Sequence, residues 1–303
     1  MAFPQLLFCC MTDDQLLARP VIVIGSPRSG TTLLSQVLSH HASVWLANEP
    51  RILWKYGNDA KSDALQPADA RPEVVAHIRA ELARNLREAG RTRLVEKTPS
   101  NSLRFGFVNQ VFPDAIFMHV MRSGLESVLS IRSFWERHST GVPTKMLWQR
   151  LREMKLRQAP HYAMEFGRRV AGKFLPSAAA PAVWGPRPPG IVEMRRDLDL
   201  LEVCAWQWRM CVEHTCREGR KLPADRYTEV QLEDFNEQVL SRLMAFAGLA
   251  PAEEVLAAFA EKFDDKQPTG RSKQSNLAEQ QRVEELVAPT NAWLATLGPV
   301  VRH

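Results

Sequence analysis

The 303-residue chain is 45% hydrophobic and 24% charged, the proportions of an ordinary globular protein rather than a disordered or membrane-embedded one. Its 39 Lys and Arg against 34 Asp and Glu leave +5 at neutral pH, a mild attraction for anionic ligands with no basic run long enough to argue for nucleic acid. The five cysteines form no paired framework, Cys9 and Cys10 being adjacent and Cys204, Cys211 and Cys216 sharing one predicted helix, so a secreted disulfide scaffold is excluded and a reducing compartment is expected.

In chain order, the opening "MAFPQLLFCCMTDD" has an apolar run too short to span a bilayer and no basic residues before it. Residues 1–18 therefore read as a tail, and a soluble, cytoplasmic protein without a membrane span is expected. "PVIVIGSPRSGTTLLSQVLSH", residues 20–40, begins as a buried β-branched strand, turns between Gly25 and Gly30, and continues with helical apolar spacing. "TRLVEKTPSNSLRFGFVNQVF" reads as a short strand, a loop at Pro99 and a helix capped by Ser100 or Asn101. "AIFMHVMRSGLESVLSIRSFW" repeats the strand, glycine turn and helix, with the strand over 115–121 and Leu125, Val128, Leu129 and Ile131 on the helix.

An amphipathic basic segment covers 145–174. Asp197 or Asp199 starts a helix whose apolar face carries Leu201, Cys204, Ala205, Trp208, Cys211 and Val212, the cysteines acting as small buried hydrophobes. "RYTEVQLEDFNEQVLSRLMAFAGL" gives a strand and then a helix ended by Gly248, and a last helix covers about 277–297. Residues 57–72, 177–190 and 264–276 read as loops over the site. No long linker interrupts the chain, so 1–303 is expected to form one domain. Strands alternating with helices predict an α/β fold of the P-loop type, three layers with a central parallel sheet, and a helical C-terminal half.

The first turn matches the phosphate-cradling pattern G-x-x-x-x-G-K-[ST] at both glycines, but Thr31 stands where the lysine should be. In any loop of this shape, successive N–H groups and the positive end of a helix hold phosphate oxygens. Here the cation is Arg28, inside the loop, and Thr31 and Thr32 offer hydroxyls. A forked guanidinium suits a tetrahedral oxyanion held without a metal. The alternative is a strand-to-helix turn of no special purpose, which the crowding of Gly, Ser, Arg and Thr after a buried strand makes the lesser reading.

"GSPRSGTT" is similar to the 5′-phosphosulfate loop of the sulfotransferases that use 3′-phosphoadenosine 5′-phosphosulfate, where Thr commonly replaces the Walker lysine. The resemblance implies that Arg28, Ser29, Gly30, Thr31 and Thr32 hold the 5′ side of the donor. That family's 3′-phosphate site pairs a strand-end arginine with a serine eight residues later, which here are Arg122 and Ser130. The competing reading pairs Arg122 with Glu126 and leaves Ser130 merely packed. Lys97 in "VEKTP" resembles the lysine that reaches the donor's bridging oxygen, but Pro99 stands where cytosolic members carry a catalytic histidine.

By resemblance to tyrosylprotein and bacterial members, Glu49, after "HHASVWLAN", is the general base, and His119 is held in reserve for its closeness to Arg122. Against these stand an exposed loop carboxylate and a satisfied core histidine. His40 and His41 read as a helix terminus, and Glu96 as a residue that orients Lys97 or pairs locally. Arg271, Ser272 and Lys273 resemble the late basic loop that closes over the nucleotide, or are simply solvated. "YTEVQLEDF" resembles a Y-E-D-L segment in stretched form. Arg122 is followed by Ser-Gly-Leu rather than Asp-Pro or Asn-Pro, so the subfamily stays open.

The implied reaction moves a sulfuryl group to a hydroxyl of a small-molecule, carbohydrate or lipid acceptor, which needs a base, cations and in-line placement. Magnesium is dispensable in this reading, because sulfate carries one ionisable oxygen fewer than a terminal phosphate. A small-molecule kinase using ATP and magnesium is the alternative, disfavoured by the missing lysine and the lack of a strand-end aspartate. A non-catalytic nucleotide-binding protein would be favoured if Glu49 or Lys97 lay far from the loop. Trp54, Tyr56 and Trp184 either stack on an acceptor ring or pack inside.

Overall fold

The structure is a computed structural model that describes residues 11–138, 158, 183–264 and 275–298. Its centre is β1 (Val21–Ile24), four consecutive β-branched residues that are all fully buried. Such a run suits only a strand covered on both faces, where each side chain contributes roughly 1.5–3 kcal/mol of burial. Around it stand β2 (Val44–Asn48), β3 (Arg93–Lys97), β4 (Ile116–Met121) and β5 (Tyr227–Gln231), in the order β2-β3-β1-β4-β5 and all parallel. This is the predicted architecture.

The side-chain alternation of β1 divides the core. Ile22 and Ile24 face one layer, formed by α1 (Asp13–Leu16), α4 (Pro72–Glu88) and α5 (Phe105–Val111), with Trp54 and Phe117 in the same cluster. Val21 and Val23 face the other, formed by α2 (Thr31–Leu38), α9 (Glu237–Phe246) and α10 (Glu253–Asp264). A third apolar cluster joins α6 (Gly124–His138), α7 (Ile191–Asp197), α8 (Leu200–Gly219) and α11 (Leu277–Thr296), so the predicted helical C-terminal half is present. Cys204, Cys211 and Cys216 of α8 are buried free thiols, the first and last within this cluster, as expected for small hydrophobes.

Several boundaries follow from local chemistry. Asp199 caps α8, accepting from the Glu202 amide while Glu202 accepts from its own, the second of the two predicted starts. Gly248, at φ +67°, follows α9 as predicted. The helix expected to be capped by Ser100 or Asn101 is different: Pro99–Leu103 is a 3₁₀ turn and α5 begins at Phe105. The reason is that both side chains are committed elsewhere, Ser100 to Asp63 and Asn101 to Glu96. The segment 145–174 apart from Gln158, residues 177–182 of the second loop and 265–274 of the third lie outside the described residues.

The connection from β1 leads across β3 to β2, whereas that from β4 leads outward to β5. Neighbours β1 and β4 therefore send their chains in opposite directions, and a crevice opens between them at the carboxyl edge. Ligands of open α/β sheets bind at such a point.

Candidate functional site at the carboxyl edge of the sheet

The turn after β1 fills one wall of that crevice. Gly25 is required there, because a Cβ would stand 2.3 Å from the Val120 carbonyl oxygen of β4. Gly30, at φ +102°, starts α2 with no side-chain cap, and a Cβ on it would lie 2.7 Å from Leu232. The first turn of α2 thus presents backbone N–H groups to the loop. Ser26 and Ser29 are buried, and their hydroxyls have no hydrogen-bond partner among the described residues. Buried, orphaned hydroxyls under an uncapped helix start are the lining expected of an oxyanion cradle. Thr31 is buried and Thr32 exposed, so the two threonines are not equivalent.

Glu49 and Lys97 meet across the neighbouring strand ends. Asn48 pairs with Lys97 in register, and the Glu49 amide continues the ladder to the Lys97 carbonyl at 2.8 Å. Lys97, 2% exposed, donates from Nζ to Glu49 Oε1 at 2.7 Å. Arg51, which sequence reasoning did not select, donates to Oε2 from Nη2 at 2.7 Å and from Nε at 3.1 Å. It lies on the short helix α3 (Arg51–Lys55), anchored by the fully buried Trp54 edge-on to Phe107 and Phe112. Burial pushes the Glu49 carboxyl upward, but the charges and hydrogen bonds of Arg51 and Lys97 outweigh it and hold its pKa below the usual carboxylate value. Lys97 is beside the loop as well: it follows Glu96, the partner of Ile22, and Ser102 in the next turn donates to the Gly25 carbonyl at 2.8 Å.

Arg28 and Glu49 are also two of the three non-glycine residues with positive φ among those described, at +67° and +56°. A left-handed conformation costs such residues about 1–3 kcal/mol and concentrates at functional sites. Across the crevice, Arg122 donates to Glu126 Oε2 at 3.1 Å and contacts the Arg28 carbonyl oxygen at 3.5 Å. The Arg122–Glu126 pair is thus present, but Ser130 does more than pack. It accepts from Arg28 Nε at 3.2 Å, and the Arg28 guanidinium lies 5.3 Å from the centre of the Phe134 ring. The residues expected on the 5′ and 3′ sides of the donor therefore form one contiguous group.

His119 lies elsewhere. It is fully buried in β4, with Nδ1 2.9 Å from the Tyr227 hydroxyl, which donates to Glu229 at 2.8 Å. Burial lowers its pKa to about 4 and keeps it neutral. The core-histidine reading describes its surroundings better than the reserve-base reading does. Ligand atoms of His119, Cys216 and Glu229 lie within 4.8 Å of one another, but Glu229 already takes two hydrogen bonds from Arg220, at 2.8 and 2.6 Å. That guanidinium opposes a second cation. His41 is bonded to the Ala250 carbonyl beyond the far end of α2, and His40 lies near Lys262, both at the opposite edge of the sheet.

The segment "QLEDF" contributes walls that the sequence did not reveal: Leu232 closes on Gly30, and Glu233 accepts from the Ser123 amide at 2.9 Å. Two of the predicted loops also meet, since the Asp63 amide donates to the Arg187 carbonyl at 3.1 Å, the Arg187 amide donates to the Asp63 carboxylate at 2.8 Å, and Ser100 donates to Asp63. Trp54 packs inside, whereas Trp184 lies 4.3 Å from Phe134, the ring beneath Arg28. Arg271, Ser272 and Lys273 fall outside the described residues. No helix among the described residues is long and apolar enough to cross a membrane.

Residues 20–174 match the family described as "Sulfotransferase family". Two curated relatives align with the chain, a protein of Aquifex aeolicus (30% identical over 147 residues, 43% of this chain and 19% of that protein) and nodulation protein NoeE of Sinorhizobium fredii (26% over 137 residues, 40% and 32%). The chain thus spans well under half of either relative. Sulfotransferase STF9 from Mycobacterium avium superimposes over 90% of this chain and 76% of its own, with a TM-score of 0.50 and 14% identity, a likeness of fold.

Proposed function

Because the chain belongs to the sulfotransferase family, we propose that it moves a sulfuryl group from 3′-phosphoadenosine 5′-phosphosulfate to a hydroxyl of a small-molecule, carbohydrate or lipid acceptor. The observation that carries this reading is the Lys97–Glu49–Arg51 triad standing beside a lysine-less phosphate loop. A carboxylate and two cations, the groups that sulfuryl transfer to a hydroxyl requires, stand together there.

In the proposed reaction the acceptor oxygen attacks sulfur in line, its proton passes to a Glu49 carboxylate oxygen, and the bond from sulfur to the bridging oxygen breaks. The electron pair stays on the 5′-phosphate, where Lys97 neutralises it. Arg51 and Lys97 occupy both oxygens of Glu49 in the protein alone, which keeps it ionised but weakly basic. An anionic donor competes for those cations, so its arrival raises the proton affinity of Glu49 when the acceptor needs a base. Arg28, Ser29, Gly30, Thr31 and Thr32 hold the 5′ side, and Arg122 with Ser130 the 3′-phosphate. Arg271 and Lys273 complete the proposal as closing residues of the late loop.

Calorimetric titration with 3′-phosphoadenosine 5′-phosphate beside ADP with magnesium tests the donor assignment. Tight binding of the first without added metal, and much weaker binding of the second, is expected. Preference for ADP with magnesium would replace this reading with a kinase.

A further inference from the structure

Next to Lys97, on the opposite side of β3, Glu96 is completely buried. Its Oε1 accepts from Trp54 Nε1 at 2.8 Å and from Thr98 Oγ1 at 2.5 Å, and its Oε2 accepts from Asn101 Nδ2 at 2.8 Å. Asn101 Oδ1 in turn accepts from Arg104 Nε at 2.8 Å, and the Arg104 guanidinium lies 5.9 Å from the centre of the Trp54 ring. The donors come from two places. Trp54 is three residues beyond Arg51 on α3, whereas Thr98 and Asn101 belong to the turn that leaves Lys97.

We infer that Glu96 is a positioning residue for the reaction proposed above, its ionised carboxylate clamping the Lys97 turn to the Arg51 helix so that both cations are set on Glu49. The inference rests on that reading of Glu49. It follows from donor counting. Trp54 Nε1 and the Asn101 NH₂ group can only donate, so one acceptor oxygen of Glu96 must face each of them, and the ionised carboxylate satisfies both together with the Thr98 hydroxyl. A proton on Oε2 would point at the Asn101 NH₂ group. Asn101 cannot turn over to receive it, because its oxygen is held by Arg104. Burial raises the Glu96 pKa to about 7, against the hydrogen bonds of Thr98 and Trp54 and the charges of Arg104 and Lys97.

This pattern specifies its own test. Glu96→Gln keeps Oε1 for Trp54 and Thr98 but sets one NH₂ against another at Asn101. Asn101→Asp in the same chain restores an acceptor there, moving the charge across one hydrogen bond while the count of donors and acceptors stays as it was. Donor turnover is followed as release of 3′-phosphoadenosine 5′-phosphate, and affinity for that product by calorimetry. Glu96→Gln is expected to lower turnover about 10- to 100-fold, the cost of misplaced catalytic groups, with product affinity kept within about twofold. The double variant E96Q/N101D recovers most of the loss. Trp54→Phe, which removes a single donor and keeps an aromatic ring, gives a smaller loss of the same kind and serves where Glu96→Gln does not fold.

Wild-type turnover in Glu96→Gln, or a folded, product-binding double variant no faster than the single one, overturns the inference. If the wild-type protein neither binds the product nor consumes the donor, the proposed reaction itself is wrong and Glu96 has nothing to position.

Discussion

At Glu49 the backbone is left-handed and the carboxylate is held by two cations, so conformation and charge point the same way. An ordinary loop carboxylate has no cause to bear that strain. With its pKa held below the usual range, Glu49 is ionised throughout the neutral region, and in the proposed reaction it takes a proton once its cations turn to the donor. Glu49→Ala is therefore expected to lower turnover by about 100-fold or more, the usual contribution of a positioned base. Donor affinity should hold or improve in that variant, since Lys97 and Arg51 are released to the anion. Steady-state turnover beside a titration with 3′-phosphoadenosine 5′-phosphate separates the two effects. Normal turnover would remove Glu49 from the mechanism.

The elements around these residues differ in how far the sequence exposes them. β1 and β4 are buried on every residue and announce themselves as apolar runs, and the loop after β1 is a contiguous motif. β2 sits at the sheet edge with only Val44 and Ala47 buried, so "VWLAN" carries no clear period, although it delivers Glu49. α4 was legible but unassigned: Pro72 opens it, and Val74, Ile78, Leu82 and Leu86 recur every four residues on its buried face. Arg51 had no such signal, because its role comes from β2 and β3 ending side by side, a pairing that spacing along the chain does not contain. The contact of the loop with β4 is similarly long-range and can be tested. Gly25→Ala sets a Cβ against the Val120 carbonyl, which the backbone must move to relieve. A stability loss of about 1–3 kcal/mol in denaturant unfolding is expected from such overpacking, with loss of nucleotide affinity, and a wild-type profile would show that the loop does not depend on this approach.

For the molecule as a whole, two fully buried groups on the sheet titrate in opposite senses. The folded state raises Glu96 from an ordinary 4.5 to about 7, so between those values it holds a proton that the unfolded chain has lost, and stability falls as pH rises. His119 is lowered from 6.5 to about 4, chiefly by burial, against the attraction of Glu229 and with help from Arg220. Between pH 4 and 6.5 the unfolded chain holds the extra proton, and this contribution rises with pH. The windows overlap from about pH 4.5 to 6.5, where the two slopes, each at most about 1.4 kcal/mol per pH unit for one proton, oppose each other. In the wild-type protein these two contributions therefore offset each other there, beside that of His214, whose pKa burial also lowers. Relative to wild type, the stability of Glu96→Gln should climb more steeply with pH through this range, and that of His119→Asn less steeply. Unfolding midpoints and slopes in denaturant at several pH values read this directly, because each substitution shifts the overall level by a constant, whereas loss of a titrating group changes the slope. Parallel curves for all three proteins would mean that folding shifts neither pKa, and the near-neutral ionisation of the Glu96 clamp would fall with them.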